Sequence, residues 1–421
     1  MCRQRGRGDT AGIETQEHAA HWRQTKRKED IGHGTAHTKQ LRGLDAEADG
    51  VAKIAMGGRV GDHQLSVDFY GNQTEWISDL KVEGTDISFA YLQNNLDIPR
   101  FASVIMTFKD PAGVSLSHRF DVFQRNVEGA EANVVDLTEG GKWANCYLLD
   151  ESGAASYSFE PKHVSGEGFS GQLRTVEVLW ETAQNTVENL AYDQTTNKVY
   201  FTKTAGAKGN AVVALKDYNG NMLWSCHLWA TSQDVKEISL GGVKFLDRNI
   251  GAVANTAPLA AENDAVGMFY QWGRKDPFLW SYDVWNAKEV KSTYIWPYPV
   301  LSDSSHGTID YSIEHPTTYI LGNGDNWDWY YTGTSMTDDT RWMSEKTIYD
   351  PCPAGWRVPD GGEEGVWNSA GITGMSYSEY QGASIQSGHQ HFAWYPVTSR
   401  RDPYNSGSLY AAGHYGYYWS A

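Results

Sequence analysis

From about residue 65 the chain alternates apolar and polar positions with a period of two. Leu65, Val67 and Phe69 form one set, Ile87 and Phe89 a second, Val104, Met106 and Phe108 a third, Phe120 and Val122 a fourth. Successive side chains of a strand point to opposite faces, so each set predicts a strand with one buried face. Asp110-Pro-Ala-Gly113 lies between the third and fourth sets, where proline and glycine predict a hairpin turn. Short strands and turns at this spacing predict an immunoglobulin-like β-sandwich over residues 46–130.

The pattern then changes without ceasing to be β. Trp143-Ala-Asn-Cys-Tyr-Leu148, Val176-Glu-Val-Leu-Trp180, Lys198-Val-Tyr-Phe201 and Gly209-Asn-Ala-Val-Val-Ala-Leu215 read as strands. Asp217-Tyr-Asn-Gly220 turns the chain into Met222-Leu-Trp-Ser-Cys-His-Leu-Trp229, a hairpin. Residues 131–238 are therefore predicted to form a second β-sandwich. Residues 1–45 carry nine Lys or Arg against six Asp or Glu and almost no large apolar side chain, which predicts a disordered basic tail.

Residues 239–421 are organised around Tyr349-Asp-Pro-Cys-Pro-Ala-Gly-Trp-Arg-Val-Pro359. Pro351, Pro353 and Pro359 fix φ and remove backbone donors, so this is a rigid, irregular connection. Trp356 is large enough to pin it to a core. Asp360 with Glu363 reads as a capping box, predicting a short helix that carries Val366 and Trp367 inward. Aromatics crowd this region, with eleven of the 17 Trp and 17 of the 24 Tyr lying beyond residue 240. A domain of this size cannot bury all of them, so some rings are expected on an exposed face.

Composition narrows the function classes. The 43 Gly, with the Tyr and Trp content, favour strands and turns over long helices, and 421 residues exceed one compact core. A net charge of −17 argues against nucleic-acid binding, which needs a cationic face. No apolar run reaches membrane-span length, and the polar stretch from Met1 to Gln40 is not a signal peptide. The four cysteines (Cys2, Cys146, Cys226, Cys352) lack the spacing of a zinc or redox pair. Free thiols and a disulfide fit equally, with Cys146 and Cys226 as one candidate pairing.

Tyr349–Pro359 resembles the signature of the Fibrobacter major paralogous domain, a C-type-lectin-like fold of Bacteroidota surface and fimbrillin-like proteins. Gly242-Val-Lys-Phe-Leu-Asp-Arg-Asn-Ile-Gly251, Phe269-Tyr-Gln-Trp-Gly-Arg-Lys-Asp-Pro-Phe278, and Ser406-Gly-Ser-Leu-Tyr410 leading to Gly416-Tyr-Tyr-Trp-Ser420 resemble further blocks of that family, in order. The match covers the last two fifths of the chain. Phe120-Asp-Val-Phe-Gln-Arg125 is similar to the last strand of BACON domains. Residues 144–147 and 224–229 are similar to the segment that precedes the paralogous domain in fimbrillin-like proteins. The implied architecture is multi-domain and mainly β: an immunoglobulin-like sandwich, a second β-sandwich and an α+β C-type-lectin-like domain. Trp272, Cys352 and Trp356 are its implied structural residues. Relatives continue into a further strand carrying a cysteine that would pair with Cys352, which implies a truncated last domain, and the family context implies an export signal or lipid anchor.

The resemblance and composition together point to Tyr404, Asn405, Tyr410, His414 and Tyr415 as ligand-binding residues, in a stretch where rings give area and small residues adapt. Tyr418 and Trp419 are expected in a core strand. Asp325 and Asp328 with Asn323 and Asn326 could ligate calcium, but the tripeptides of sugar-binding C-type lectins are absent, and an Asx-rich turn is the expected outcome. His389 and His391 share a strand face and are expected as surface imidazoles. Arg274, Lys275 and Asp276 are expected to form a structural salt bridge around a turn at Pro277.

Motifs of zinc proteases, α/β-hydrolases and P-loop enzymes are missing. The formylglycine-generating oxidases, which share the lectin-like fold, need a pair of cysteines where this region has only Cys352. The expected function is a non-catalytic cell-surface adhesion protein without cofactor or metal, holding a surface glycan or protein ligand. A structural fimbrial subunit assembled by strand exchange and a carbohydrate-active enzyme of unrecognised type are the alternatives. The expected location is extracellular, on the outer-membrane surface.

Overall fold

The computed structural model describes residues 40–421 apart from 45, 56–63, 71–74, 84–85, 110, 150–155, 184–185, 232–233, 241–242, 256–263, 280–298, 323–326, 334–338, 364, 366–375, 378–381, 388–389, 397, 399, 403–406, 408 and 411–415. Strand is the dominant element among the described residues and helix is scarce, as the glycine- and aromatic-rich composition predicts. Among the described residues no helix is long and apolar enough to cross a membrane.

Among the described residues the first sandwich has seven strands: β1 (Gln40–Leu44), β2 (Gly50–Ala55), β3 (Gln64–Tyr70), β4 (Ile77–Glu83), β5 (Asp86–Tyr91), β6 (Arg100–Lys109) and β7 (Ser115–Gln124). One sheet runs β1-β7-β6-β3 and the other β2-β5-β4. Ile87, Phe89, Val104 and Val122, each at most 1% exposed, meet between them. These are positions the period-two pattern turns inward. Strand β1 corrects the sequence boundary, because Gln40–Leu44 was assigned to the disordered tail and instead pairs parallel with β7. Backbone pairing of this kind needs no apolar run, so hydropathy is blind to it. The rest of the tail lies outside the described residues.

The second sandwich comprises β8 (Val135–Asp136), β9 (Cys146–Leu149), β10 (Ser156–Phe159), β11 (Thr175–Glu181), β12 (Glu188–Asp193), β13 (Lys198–Thr202), β14 (Gly209–Lys216) and β15 (Met222–Ala230). Its sheets run β12-β13-β10-β8 and β11-β14-β15-β9. Tyr157, Phe159, Phe201, Val213, Leu215, Trp224 and Leu228 fill the space between them. The second sheet is buried on both sides: Val212, Ala214, Ser225, His227 and Trp229 point away from that core and are also buried. A continuous apolar run such as Ala211–Leu215 is what two-sided burial demands.

What covers the outer face is the last region. Trp229 Nε1 donates to the Ala252 carbonyl (3.0 Å), and Asn210 Nδ2 donates to the Gly251 carbonyl (2.9 Å). The boundary at residue 238 therefore does not separate two independent bodies. All the described residues belong to one compact unit, His37–Ala421. The first sandwich is tied in as well, since Arg174 Nη2 pairs with Asp121 of β7 at 2.7 Å, both side chains buried.

The last region contains β16 (Glu237–Leu240) and β17 (Val243–Leu246), β18 (Val300–Leu301), α1 (Ile309–Glu314) and β19 (Ile320–Leu321). It continues with β20 (Ser376–Tyr377), β21 (Gly382–Ser387), β22 (Gln390–Pro396), β23 (Arg400–Arg401) and β24 (Leu409–Tyr410). Helix α1 is capped by Thr308, whose side chain accepts from the Tyr311 amide. The capping box expected at Asp360 does not form. Asp360 accepts instead from Arg357 Nη1 (2.9 Å), and residues 362, 363 and 365 form bends and a turn. Val366 and Trp367 lie outside the described residues.

Candidate functional site

The Tyr349–Pro359 connection is built on a buried carboxylate. Asp350 accepts from the Cys352 amide (2.8 Å), the Val358 amide (2.9 Å) and Lys346 Nζ (2.7 Å). Lys346 Nζ also donates to the carbonyls of Cys352 and Trp356, each at 2.8 Å. A proline-rich segment cannot satisfy its backbone with a ladder, so side chains do it. Asn145 fixes the segment to the second sandwich, its Nδ2 donating to the carbonyls of Ile348 (2.7 Å) and Asp350 (2.8 Å). Trp224 Nε1 in turn donates to Asn145 Oδ1 at 2.9 Å.

The Phe269–Phe278 block is equally anchored. Arg274 is buried and donates to Gln271 Oε1 (2.7 Å) and the Thr318 carbonyl (2.8 Å). Burial pushes its guanidinium down to about 10, still charged at neutral pH. Lys275 and Asp276 form a buried pair at 2.7 Å, with Lys275 4.5 Å from the centre of the Trp224 ring. Beneath them, Asn210 Nδ2 is committed to the Gly251 carbonyl, so its Oδ1 accepts from His227 Nε2 at 2.8 Å. That leaves His227 Nδ1 to accept from the Tyr270 hydroxyl at 3.4 Å. Burial lowers the His227 pKa to about 3 and raises that of Tyr270, so both stay neutral at physiological pH.

Onto this frame the tail is stitched by three hydrogen bonds. Trp419 Nε1 donates to the Tyr270 carbonyl (2.7 Å), Trp272 Nε1 to the Ser420 carbonyl (2.9 Å), and the Ala421 amide to the Pro359 carbonyl (2.8 Å). The approach is close, since a Cβ at Gly361 would lie 2.6 Å from Ser420 Oγ and 3.1 Å from its Cβ. Trp272, Trp342, Cys352, Trp356 and Val358 join one apolar cluster with Ala421, the rings of Trp272 and Trp342 being 5.7 Å apart.

Between the tail, the β16–β17 hairpin and the proline-rich connection runs a groove of 530 Å³. That volume is in the range of ligand sites, roughly 300–1,000 Å³. Phe245, Ile250, Val266, Phe269, Trp356 and Tyr418 contribute to its apolar lining, and Tyr417 and Trp419 stand on it. Trp419 is 52% exposed and Tyr417 42%. Neither ring is loosely hung: Trp419 is held through Nε1, and the Arg400 guanidinium lies 5.1 Å from the Tyr417 ring. The charged lining groups are paired, Lys244 with Glu237 (2.7 Å), Arg248 with Asp247 (2.8 Å) and Arg357 with Asp360. Hydrogen bonds from Arg357 hold the Asp360 carboxyl below the usual carboxylate range.

Four blocks singled out in the sequence, Gly242–Gly251, Phe269–Phe278, Tyr349–Pro359 and Gly416–Ser420, thus border one groove. Trp419 corrects the sequence reading. It was expected in a core strand, yet residues 417–419 form no strand and its ring is half exposed. Tyr418 is partly buried against Tyr395. Of the expected ligand residues, Tyr404, Asn405, His414 and Tyr415 lie outside the described residues. Tyr410 is described only through its backbone pairing with Arg400.

Asp328, a calcium candidate, is held by Arg341 Nη2 at 2.7 Å; Asn323, Asp325 and Asn326 lie outside the described residues. So does His389, and of His391 only the backbone, paired with Gln386, is described. Among the described residues no group of three His, Cys, Asp or Glu is arranged to hold a metal ion. Cys146, Cys226 and Cys352 are free and buried, so the Cys146–Cys226 pairing is not formed.

No protein-family profile matches the chain, and no curated protein matches it. Parts of solved structures are similar to it. One is an endo-fucoidan hydrolase, MfFcnA4 of glycoside hydrolase family 107, at 15% identity over 46% of this chain and 27% of that one, with a TM-score of 0.17. A second is the SGBP-B protein of the Bacteroides ovatus mixed-linkage glucan utilization locus, in complex with a heptasaccharide, at 10% identity over 52% and 55%, with a TM-score of 0.18. A third is the human desmocollin-1 ectodomain, at 10% identity over 47% and 36%, with a TM-score of 0.16. The chain spans between about a quarter and just over half of these structures, and at such TM-scores the likeness assigns neither fold nor function.

Proposed function

We propose that this chain is a non-catalytic extracellular binding protein whose ligand, a surface glycan, lies in the aromatic groove beside Trp419. In this reading residues 239–421 are a C-type-lectin-like domain of the Fibrobacter major paralogous type, carried on two β-sandwiches. The second sandwich is then a platform for the groove as much as a spacer, because its outer sheet face supports the Phe269–Tyr270 segment through His227.

The carrying observation is Trp419, half exposed on the groove and locked in orientation by the Tyr270 carbonyl. A pyranose presents an apolar face of weakly positive C–H groups that fits the negative face of an indole, and a ring already fixed loses little entropy on binding. Binding without chemistry is consistent with one groove carboxylate, Asp360. A glycosidic general acid needs a raised pKa, whereas Asp360 in the groove is held low by Arg357.

The test is a glycan and surface-protein array probed with the full chain, followed by titration of the best ligand against W419A. Truncating a central aromatic costs about 2 kcal/mol or more, so affinity should fall at least thirtyfold or so while the far-UV spectrum is unchanged. Undiminished affinity in a folded W419A protein, or turnover of a bound glycan, would refute the proposal.

A further inference from the structure

Resting on the groove reading above, we infer that the site selects uncharged over anionic polysaccharides. A sulfated or uronate-rich chain is recognised by cations whose donor forks point at it. Every cation that lines this groove already faces a carboxylate, Arg248 in a buried pair and Arg357 and Lys244 in exposed ones. Arg248 gives Nε and Nη2 to Asp247 and its remaining reach to the carbonyls of Val253 (3.2 Å) and Asp234 (2.9 Å). Arg357 presents both terminal nitrogens to the two oxygens of Asp360. Lys244 faces Glu237 across the hairpin at 2.7 Å.

Each of the three cations thus faces a carboxylate, two of which, Glu237 and Asp360, line the groove while Asp247 sits beside Arg248, so each positive charge is offset at its own position. The rest of the molecule adds repulsion, since the chain carries a net −17. An anionic chain would have to break an ion pair or be desolvated against a carboxylate, while a neutral one needs only ring contacts and hydrogen bonds.

The experiment compares matched polymers in which only charge changes: dextran with dextran sulfate, laminarin with its sulfate, and hydroxyethyl cellulose with carboxymethyl cellulose. Affinity electrophoresis or calorimetry with the full chain reads binding at low and high salt. The neutral member of the bound pair should bind at least about tenfold more tightly than its charged partner, with affinity nearly independent of salt. D360N releases the Arg357 fork and should raise affinity for the charged partner several-fold, an effect that salt removes.

Tighter binding of the charged polymer to the unaltered chain, lost on W419A substitution, overturns the charge selection and leaves the groove reading standing. Failure of both polymers in every pair, with a protein captured instead, overturns both.

Discussion

The proline-rich connection stands on one carboxylate, and replacing Asp350 by alanine measures how much. Asp350 is 1% exposed and accepts from one ammonium and two buried-segment amides. Its removal leaves Lys346 without its counter-charge, a loss that for buried pairs costs about 3–5 kcal/mol. It also orphans the Cys352 and Val358 amides, at about 1–3 kcal/mol each where water cannot reach them. These losses overlap, because Lys346 keeps its bonds to the Cys352 and Trp356 carbonyls and water can enter the vacated space.

A net destabilisation of about 4 kcal/mol follows, with D350N costing about half because one carbonyl oxygen and the shape survive. Urea unfolding followed by tryptophan fluorescence gives the free energy. Hydrogen–deuterium exchange of the 349–359 peptide locates it, and the Cys352 and Val358 amides should lose protection first. A D350A protein within about 1 kcal/mol of the unaltered chain, with that peptide still protected, would refute the claim that Asp350 organises the groove wall.

His227 gives a pH dependence whose sign is fixed. Its folded pKa of about 3 lies below the unfolded value of about 6.5, so between those limits the unfolded chain binds the extra proton. Stability is fully present above about pH 6.5 and falls by about 1.4 kcal/mol per pH unit toward pH 3. Denaturation midpoints measured across that range should show this slope, and H227Q should flatten it. The buried thiols provide a second check. Burial pushes Cys226 up to about 12 and raises Cys146 and Cys352 as well, so iodoacetamide at mildly alkaline pH should label all three only after unfolding. Rapid native labelling of any of them, followed by mass spectrometry of the peptides, would contradict their placement.

Much of the β architecture is legible in the sequence, because alternation at Ile87 and Phe89, or at Val104 and Met106, is a local property that a strand reads out directly. The two-sided burial of β14 is legible too, as the unbroken run Ala211–Leu215. Its covering is not, since nothing local says that Gly251 and Ala252 will meet Asn210 and Trp229. The short parallel strand at Gln40–Leu44 left no hydropathic trace because it is made by backbone pairing.

The groove divides in the same way. The residue types were present in the sequence: a proline-rich connection, a crowd of rings and a Tyr-Tyr-Trp tail. Tertiary structure alone decided that Trp419 faces outward. Its indole nitrogen satisfies the Tyr270 carbonyl from 149 positions away, and that bond holds the ring at the groove instead of in the core. The same holds for Asn145, which reaches 203 positions along the chain to the Ile348 carbonyl. Alternation and turn chemistry act over a few residues and so can be read from neighbours. The choice of which buried polar group is satisfied by which distant partner is made only when the layers close, and that choice sets the shape and charge of this site.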